Sequence, residues 1–161
     1  MKKIKLLLIS LLFSGGLFSQ TPAIIHKAEL KKIFEPDSSI LVINFWSTWC
    51  KPCLQEMPVF KKADSVYGQK VKFIFVSFDM LEDSLKVHSA IKKLEIPGTV
   101  LLIDETDMND LIQQIDSGWS GALPATWFIG PLYRKPWFQN FEQSHDLFHE
   151  IDLLIATHES E

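Results

Sequence analysis

Residues 40–53, I-L-V-I-N-F-W-S-T-W-C-K-P-C, limit the fold more than any other part of this chain. The first seven are almost wholly apolar, which suits a strand buried on both faces. The residues after Cys50 read as a helix, so the first cysteine falls where a buried strand hands over to a helix start. Pro52 suits that place, because in the first helical turn its missing N–H costs little. A buried strand followed by a helix, repeated along the chain, argues for an α/β sheet with helices on both faces.

The rest of the chain agrees. The helix from Cys50 runs over residues 50–67; Pro58 should kink it and Gly68 ends it. Residues 71–78, V-K-F-I-F-V-S-F, predict a second buried strand. A helix is expected over 82–95, with Leu85, Ala90, Ile91 and Leu94 among its apolar positions, and Pro97-Gly98 punctuates. A short strand follows at 100–103, a short helix at 107–115, and a strand at 125–129 entered through Leu123-Pro124. Residues 136–140 read as one more strand, at an edge because of its proline. The last helix, 144–157, carries Leu147, Phe148, Ile151, Leu154 and Ile155 on one stripe. Upstream, residues 21–34 read as a helix or an extended lead-in, and Pro36-Asp37-Ser38-Ser39 as a turn.

The first twenty residues stand apart. Lys2, Lys3 and Lys5 precede an apolar run at 6–13, then Ser14-Gly15-Gly16, Ser19 and Gln20. A basic start, a short apolar run and a small-residue exit describe a secretory signal peptide, cut near Ser19 or Gln20. The alternative is an uncleaved anchor, although the run falls short of the ~20 residues of a spanning helix. No cysteine follows the run, which argues against a lipoprotein anchor. The chain thus divides into a signal peptide (1–20), a lead-in segment (21–35) and one domain (36–161). Loss of the three lysines moves the formal charge from −4 to −7 and leaves Arg134 as the only arginine. Such an acidic chain is a poor partner for nucleic acid.

Cys50 and Cys53 are the only cysteines. Export would place them where disulfides persist. A bridge across two residues closes so small a loop that it does little as a staple, so the pair reads as a redox switch. No second Cys/His cluster is present for zinc, and Leu54 stands where covalent haem attachment needs a histidine. No metal, nucleotide or haem site is visible, and no cofactor is expected. A helix N-terminus carries unpaired N–H groups and a partial positive charge that favour a thiolate, the form that attacks disulfides. Cys50 is therefore expected to be the exposed nucleophile, with electrostatic help from Lys51. Cys53, one turn on, is expected to be the inner, resolving thiol. The scattered histidines His26, His88, His145, His149 and His158 read as surface residues, and Met57 as core.

The stretch N-F-W-S-T-W-C-K-P-C-L-Q-E-M-P, residues 44–58, resembles the thioredoxin superfamily, and within it the exported TlpA/ResA/DsbE-like thiol–disulfide oxidoreductases. W-C-K-P-C fits their W-C-x-P-C, Pro58 their helix-kinking proline, and G-A-L-P-A-T at 121–126 their segment before a core strand. The resemblance covers about residues 36–157. It implies a thioredoxin fold: a central mixed β-sheet flanked by helices on both faces, with a helix–strand insertion at roughly 82–116 typical of this branch. It also implies that Pro124 is a cis-proline beside a Cys50–Cys53 redox disulfide, and that the backbone of Leu123 pairs with a substrate chain as in strand addition. Asn44 stands where cytosolic thioredoxins carry a buried Asp. The exported branch places an acid in the helix instead, and Glu56 matches it as the group that tunes or deprotonates Cys53; the bland reading of Glu56 is a solvated glutamate. Trp49 is expected to flank the exposed sulfur, and Trp119 either lines the same groove or packs in the core. The proline-rich, aromatic run after Ile129 departs from the family's charged hairpin turn.

By this resemblance the chain is an exported, bacterial periplasmic oxidoreductase that reduces protein disulfides. Its partners would be protein dithiol or disulfide substrates and an upstream thiol electron donor, with no metal or nucleic acid. Direction cannot be read from the residues, because potentials in such proteins follow how well the reduced form is stabilised. A peroxiredoxin-type thiol peroxidase is a competing reading from Ser47-x-x-Cys50, but it needs an arginine beside the sulfur. A non-enzymatic binding module of the same fold is another.

Overall fold

A computed structural model describes residues 21–35 and 39–159. The expected signal peptide, and most of the turn expected at 36–39, lie outside the described residues. Six strands and five helices follow in the order β1 (Ala23–Ile25), α1 (Lys27–Ile33), β2 (Leu41–Trp46), α2 (Lys51–Tyr67), β3 (Lys72–Ser77), α3 (Ser84–Leu94), β4 (Thr99–Ile103), α4 (Met108–Ile115), β5 (Ala125–Gly130), β6 (Tyr133–Trp137) and α5 (Ser144–Glu159). A 3₁₀ turn, Leu81–Asp83, leads into α3.

The sheet order is β1-β4-β3-β2-β5-β6. The first four of these run parallel, β5 runs antiparallel to β2, and β6 runs antiparallel to β5. The chain steps from β2 to β3 to β4 in one direction across the sheet, but from β1 to β2 and from β4 to β5 in the other. Right-handed crossovers therefore put α2 and α3 on one face and α1 on the opposite one. The cores agree. Val42, Trp46, Phe73, Phe75, Leu102 and Phe128 pack with α2, α3 and α5. Leu41, Ile43, Phe45, Val76, Leu101 and Trp127 pack with α1 and α4. Adjacent residues of each strand point to opposite faces, so β2 is buried at all six positions. The sheet is mixed and covered on both faces, as the resemblance implies.

Two elements differ from the sequence reading. Part of the segment at 21–34 is a three-residue edge strand, β1, paired with β4; so short a strand has no periodicity to betray it. The last strand lies at 133–137 rather than 136–140. The two-residue turn Pro131-Leu132 sets the hairpin register, with Gly130 opposite Tyr133, and register rather than composition fixes where β6 begins. Pro136 does lie on an edge strand, where its missing N–H breaks no ladder.

Candidate active site

The C-terminal end of β2 builds the site. After Trp46 the chain turns through Ser47–Trp49, with the Cys50 N–H donating to the Ser47 carbonyl (3.2 Å). Cys50 is the N-cap of α2, with extended backbone (φ −85°, ψ 97°), and Pro52 sits in the first turn. The Cys53 N–H donates to the Cys50 sulfur (3.3 Å). The sulfur thus does for α2 what a Ser or Asp oxygen does in an ordinary N-cap, and the same geometry would stabilise a negative charge on it. Cys50 and Cys53 are joined in a disulfide, with Cα atoms 5.3 Å apart. Cys50, expected to be exposed, is buried at the helix start with 5% exposure, and Cys53 has none; of the two, only Cys50 keeps any surface toward solvent. Trp49 stands 68% exposed beside it.

The other wall comes from the β4–β5 side. Because β5 runs antiparallel to β2, with Phe45 opposite Ala125, the start of β5 lies next to the end of β2. Leu123-Pro124 immediately precedes β5, and its peptide bond is cis. Leu123 is half-buried and touches both cores. Gly121, just upstream, has φ +82°, and a Cβ there would come within 2.5 Å of Ile112, so the approach to Pro124 requires glycine.

Beneath the disulfide lies a polar island. Glu56, one turn after Cys53, is fully buried rather than solvated. Its Oε1 accepts from Asn44 Nδ2 (2.9 Å) and its Oε2 from the Phe141 N–H (2.9 Å). Asn44 Nδ2 also donates to Thr126 Oγ1 (3.0 Å), its partner across the β2–β5 ladder. Burial raises the Glu56 pKa to about 7, against the opposing pull of the Phe141 and Asn44 hydrogen bonds.

A residue the sequence reading passed over completes the site. Asp79, 3% exposed, follows β3. Its Oδ2 accepts from the Thr48 N–H (2.9 Å) and Ser77 Oγ (2.6 Å), and its Oδ1 from Thr48 Oγ1 (2.5 Å). It ties the loop before Cys50 to the neighbouring strand. The signal available was a Ser-x-Asp at the end of an apolar run, in an α/β sheet whose ligand sites gather at the carboxyl ends of strands.

Trp119 does not join the site. It is buried on the opposite face against Phe45, Phe78 and Trp127, and its Nε1 donates to the Ala122 carbonyl (3.0 Å). Arg134 lies there too, 5.0 Å over the Phe34 ring, donating to the Ile115 carbonyl (2.7 Å). No arginine stands beside the sulfur, as a peroxidatic cysteine would need. Among the described residues no group of three His, Cys, Asp or Glu is placed to hold a metal.

Comparison with known proteins agrees with this geometry. The thioredoxin-like protein YneN of Bacillus subtilis is 38% identical over 69 residues, 43% of this chain and 41% of its own length. The thiol-disulfide oxidoreductase ResA of Oceanobacillus iheyensis is 33% identical over 92 residues, 56% of this chain and 44% of its own. The chain thus spans less than half the length of these curated relatives. Among solved structures, a thioredoxin-related protein from Neisseria meningitidis superposes with a TM-score of 0.64 at 19% identity, covering 75% of this chain and 88% of the other. A DsbF homologue from Corynebacterium diphtheriae gives 0.60 at 18%, covering 74% of each. These likenesses establish a thioredoxin fold. Residues 18–133 match the AhpC/TSA family, and with most of its length inside that match the chain belongs to it.

Proposed function

We propose that the protein is an exported thiol–disulfide oxidoreductase that reduces protein disulfides through Cys50 and Cys53. In the reduced protein the Cys50 thiolate attacks one sulfur of a substrate disulfide, and the other sulfur leaves as a thiolate that takes up a proton. Cys53 loses its proton and attacks the Cys50 sulfur of the mixed disulfide. The second substrate thiol is released and the Cys50–Cys53 disulfide forms. Two electrons pass to the substrate, and an upstream thiol donor restores the dithiol. Cys53 is shut away from water, so its proton needs an internal acceptor. Glu56, one turn along α2 and poised near neutrality, is that acceptor. Trp49, Leu123 and Pro124 line the approach to Cys50, with the Leu123 backbone available to pair with an extended substrate segment. An exported protein fits the basic and apolar start of the chain and the oxidisable pair.

The observation that carries this reading is the Cys50 sulfur at the N-cap of α2, accepting from the Cys53 N–H and bonded to a partner that solvent cannot reach. Insulin reduction with dithiothreitol as donor tests it. The wild-type protein should turn over, Cys50→Ser should be inactive, and Cys53→Ser should accumulate mixed disulfides through Cys50. No turnover combined with stable capture of partners would favour the binding-module alternative. Equilibration against glutathione tests direction: a potential near the about −120 mV of a strong oxidant such as DsbA would overturn the reducing assignment.

A further inference from the structure

The side of the disulfide away from the cis-proline holds a groove of about 450 Å³, between the chain leaving β3 and the chain leaving β4. Phe78, Met80, Leu81 and Met108 give it apolar walls. Two of these stand out into solvent, Met80 at 68% and Leu81 at 39% exposure, and Leu85 in the first turn of α3 is exposed as well. The groove adjoins the redox loop directly. The Phe78 N–H donates to the Trp46 carbonyl (2.9 Å), and the Thr48 N–H donates to Asp79 (2.9 Å). Trp49 and Met80 thus each follow a residue of one bonded pair, and both side chains are 68% exposed. Large apolar side chains grouped on a surface in this way mark a contact site.

The rim is acidic, formed by Glu82, Asp104 and Glu105. Lys86 on this flank is paired with Asp83 (2.7 Å) and Lys27 with Asp110. His26 Nδ1 lies 3.7 Å from Asp104. An apolar trough with a negative lip complements a polypeptide that offers apolar side chains followed by positive charge, and such complementarity selects partners and speeds encounter.

We infer that this groove docks the substrate polypeptide, and that it selects a segment with apolar residues next to the reactive cysteine and Lys or Arg just beyond. The inference rests on the oxidoreductase reading and adds the substrate class. Backbone pairing at Leu123 is blind to sequence; the β3–β4 groove supplies the selection.

The test uses the oxidised full-length protein and two fluorescent peptides with serine at the cysteine position, so that no exchange can occur. One flanks the serine on both sides with Leu-Met and Lys-Lys, the other with Leu-Met and Glu-Glu. Fluorescence anisotropy should show the basic peptide binding at least about tenfold more tightly at low salt, the preference shrinking as salt screens it. The Glu82→Lys/Glu105→Gln variant should remove the preference; the glutamine retains an acceptor for the Thr106 and Asp107 N–H groups that Glu105 now caps. Met80→Ala should weaken both peptides. Equal binding of the two peptides, or a basic-peptide preference that survives in the charge variant, overturns the inference. Reduction of bis(2-hydroxyethyl) disulfide by the wild-type protein, which needs no docking, reports separately on the oxidoreductase reading.

Discussion

The two faces of the central sheet are packed on different principles. On the α1/α4 face, Phe34, Phe45, Trp119 and Trp127 lock together, Phe34 stacked on Phe45 and the other pairs edge to face or tilted, with centroids 4.9–6.1 Å apart. On the α2/α5 face an equally apolar core is interrupted by Asn44, Glu56 and Thr126, all fully buried. That face carries the disulfide. A buried carboxyl is unfavourable unless its charge is relieved or its oxygens are bonded, and here both oxygens are bonded while burial still lifts the pKa to about 7. The difference teaches a division of labour: one face supplies stability, and the other gives some of it up to keep a titratable group beneath the sulfurs.

The division can be broken most forcefully on the aromatic side. Trp127 is fully buried and meets Phe34, Phe45, Trp119 and Phe138. Trp127→Ala should lower the unfolding free energy by about 3–5 kcal/mol, through lost burial and the cavity left behind. Chemical denaturation measures this. If the faces are separable, the molecules that remain folded should reduce insulin at the wild-type rate. A large fall in that specific rate would show that the aromatic face also shapes the site.

Glu56→Gln tests the opposite face, with an effect that depends on pH. The folded pKa of Glu56 lies above the ordinary carboxyl value of 4.5, at about 7. The native state therefore holds this proton more tightly than the unfolded chain. Its contribution is fully present below about pH 4.5 and is lost as pH rises through 7. A shift of this size corresponds to a loss on the order of 3 kcal/mol between those limits. Denaturation midpoints of the wild-type protein should fall across that window, and the slope should be much reduced in Glu56→Gln. The insulin-reduction rate should also lose its rise near pH 7 if Glu56 accepts the Cys53 proton. An unchanged pH profile for both quantities would leave Glu56 a structural residue.

What could be read in the chain beforehand follows the same contrast. Residues 40–46 announce a central strand because both faces are apolar, and the helix after Cys50 is announced by the proline and the apolar spacing behind it. Glu56 is singled out by its place one turn after Cys53 and by the resemblance, with a solvated glutamate as the alternative. Sequence cannot show how deeply it is buried, because that depends on Phe141, 85 residues later, turning its N–H onto Oε2. Trp119 was ambiguous for a related reason: an indole suits a groove and a core equally, and only the turn around Ala122 decides. β1 and the start of β6 escaped because pairing partners and a two-residue turn, not local pattern, define them. Asp79 escaped because, beyond the nearby Ser77 hydroxyl, its donors belong to Thr48 on another loop, which comes beside it only once β2 and β3 pair.

The smallest expected effect sharpens the comparison where the two loops meet. Thr48 Oγ1 donates to Asp79 Oδ1 (2.5 Å), and Asp79 is almost wholly buried. Thr48→Val keeps the shape of the side chain but takes away that donor, while the Thr48 N–H and Ser77 Oγ still serve Oδ2. Leaving one oxygen of a buried carboxylate short of a partner should destabilise the fold by about 1–3 kcal/mol. Because the lost bond holds the loop that leads into Cys50, the rate at which iodoacetamide alkylates Cys50 in the reduced protein should change as well. Trp127→Ala should leave that rate alone. If Thr48→Val costs stability without altering Cys50 reactivity, Asp79 is an anchor of the fold only; if both move together, the polar groups around the end of β2 act as one unit with the sulfur.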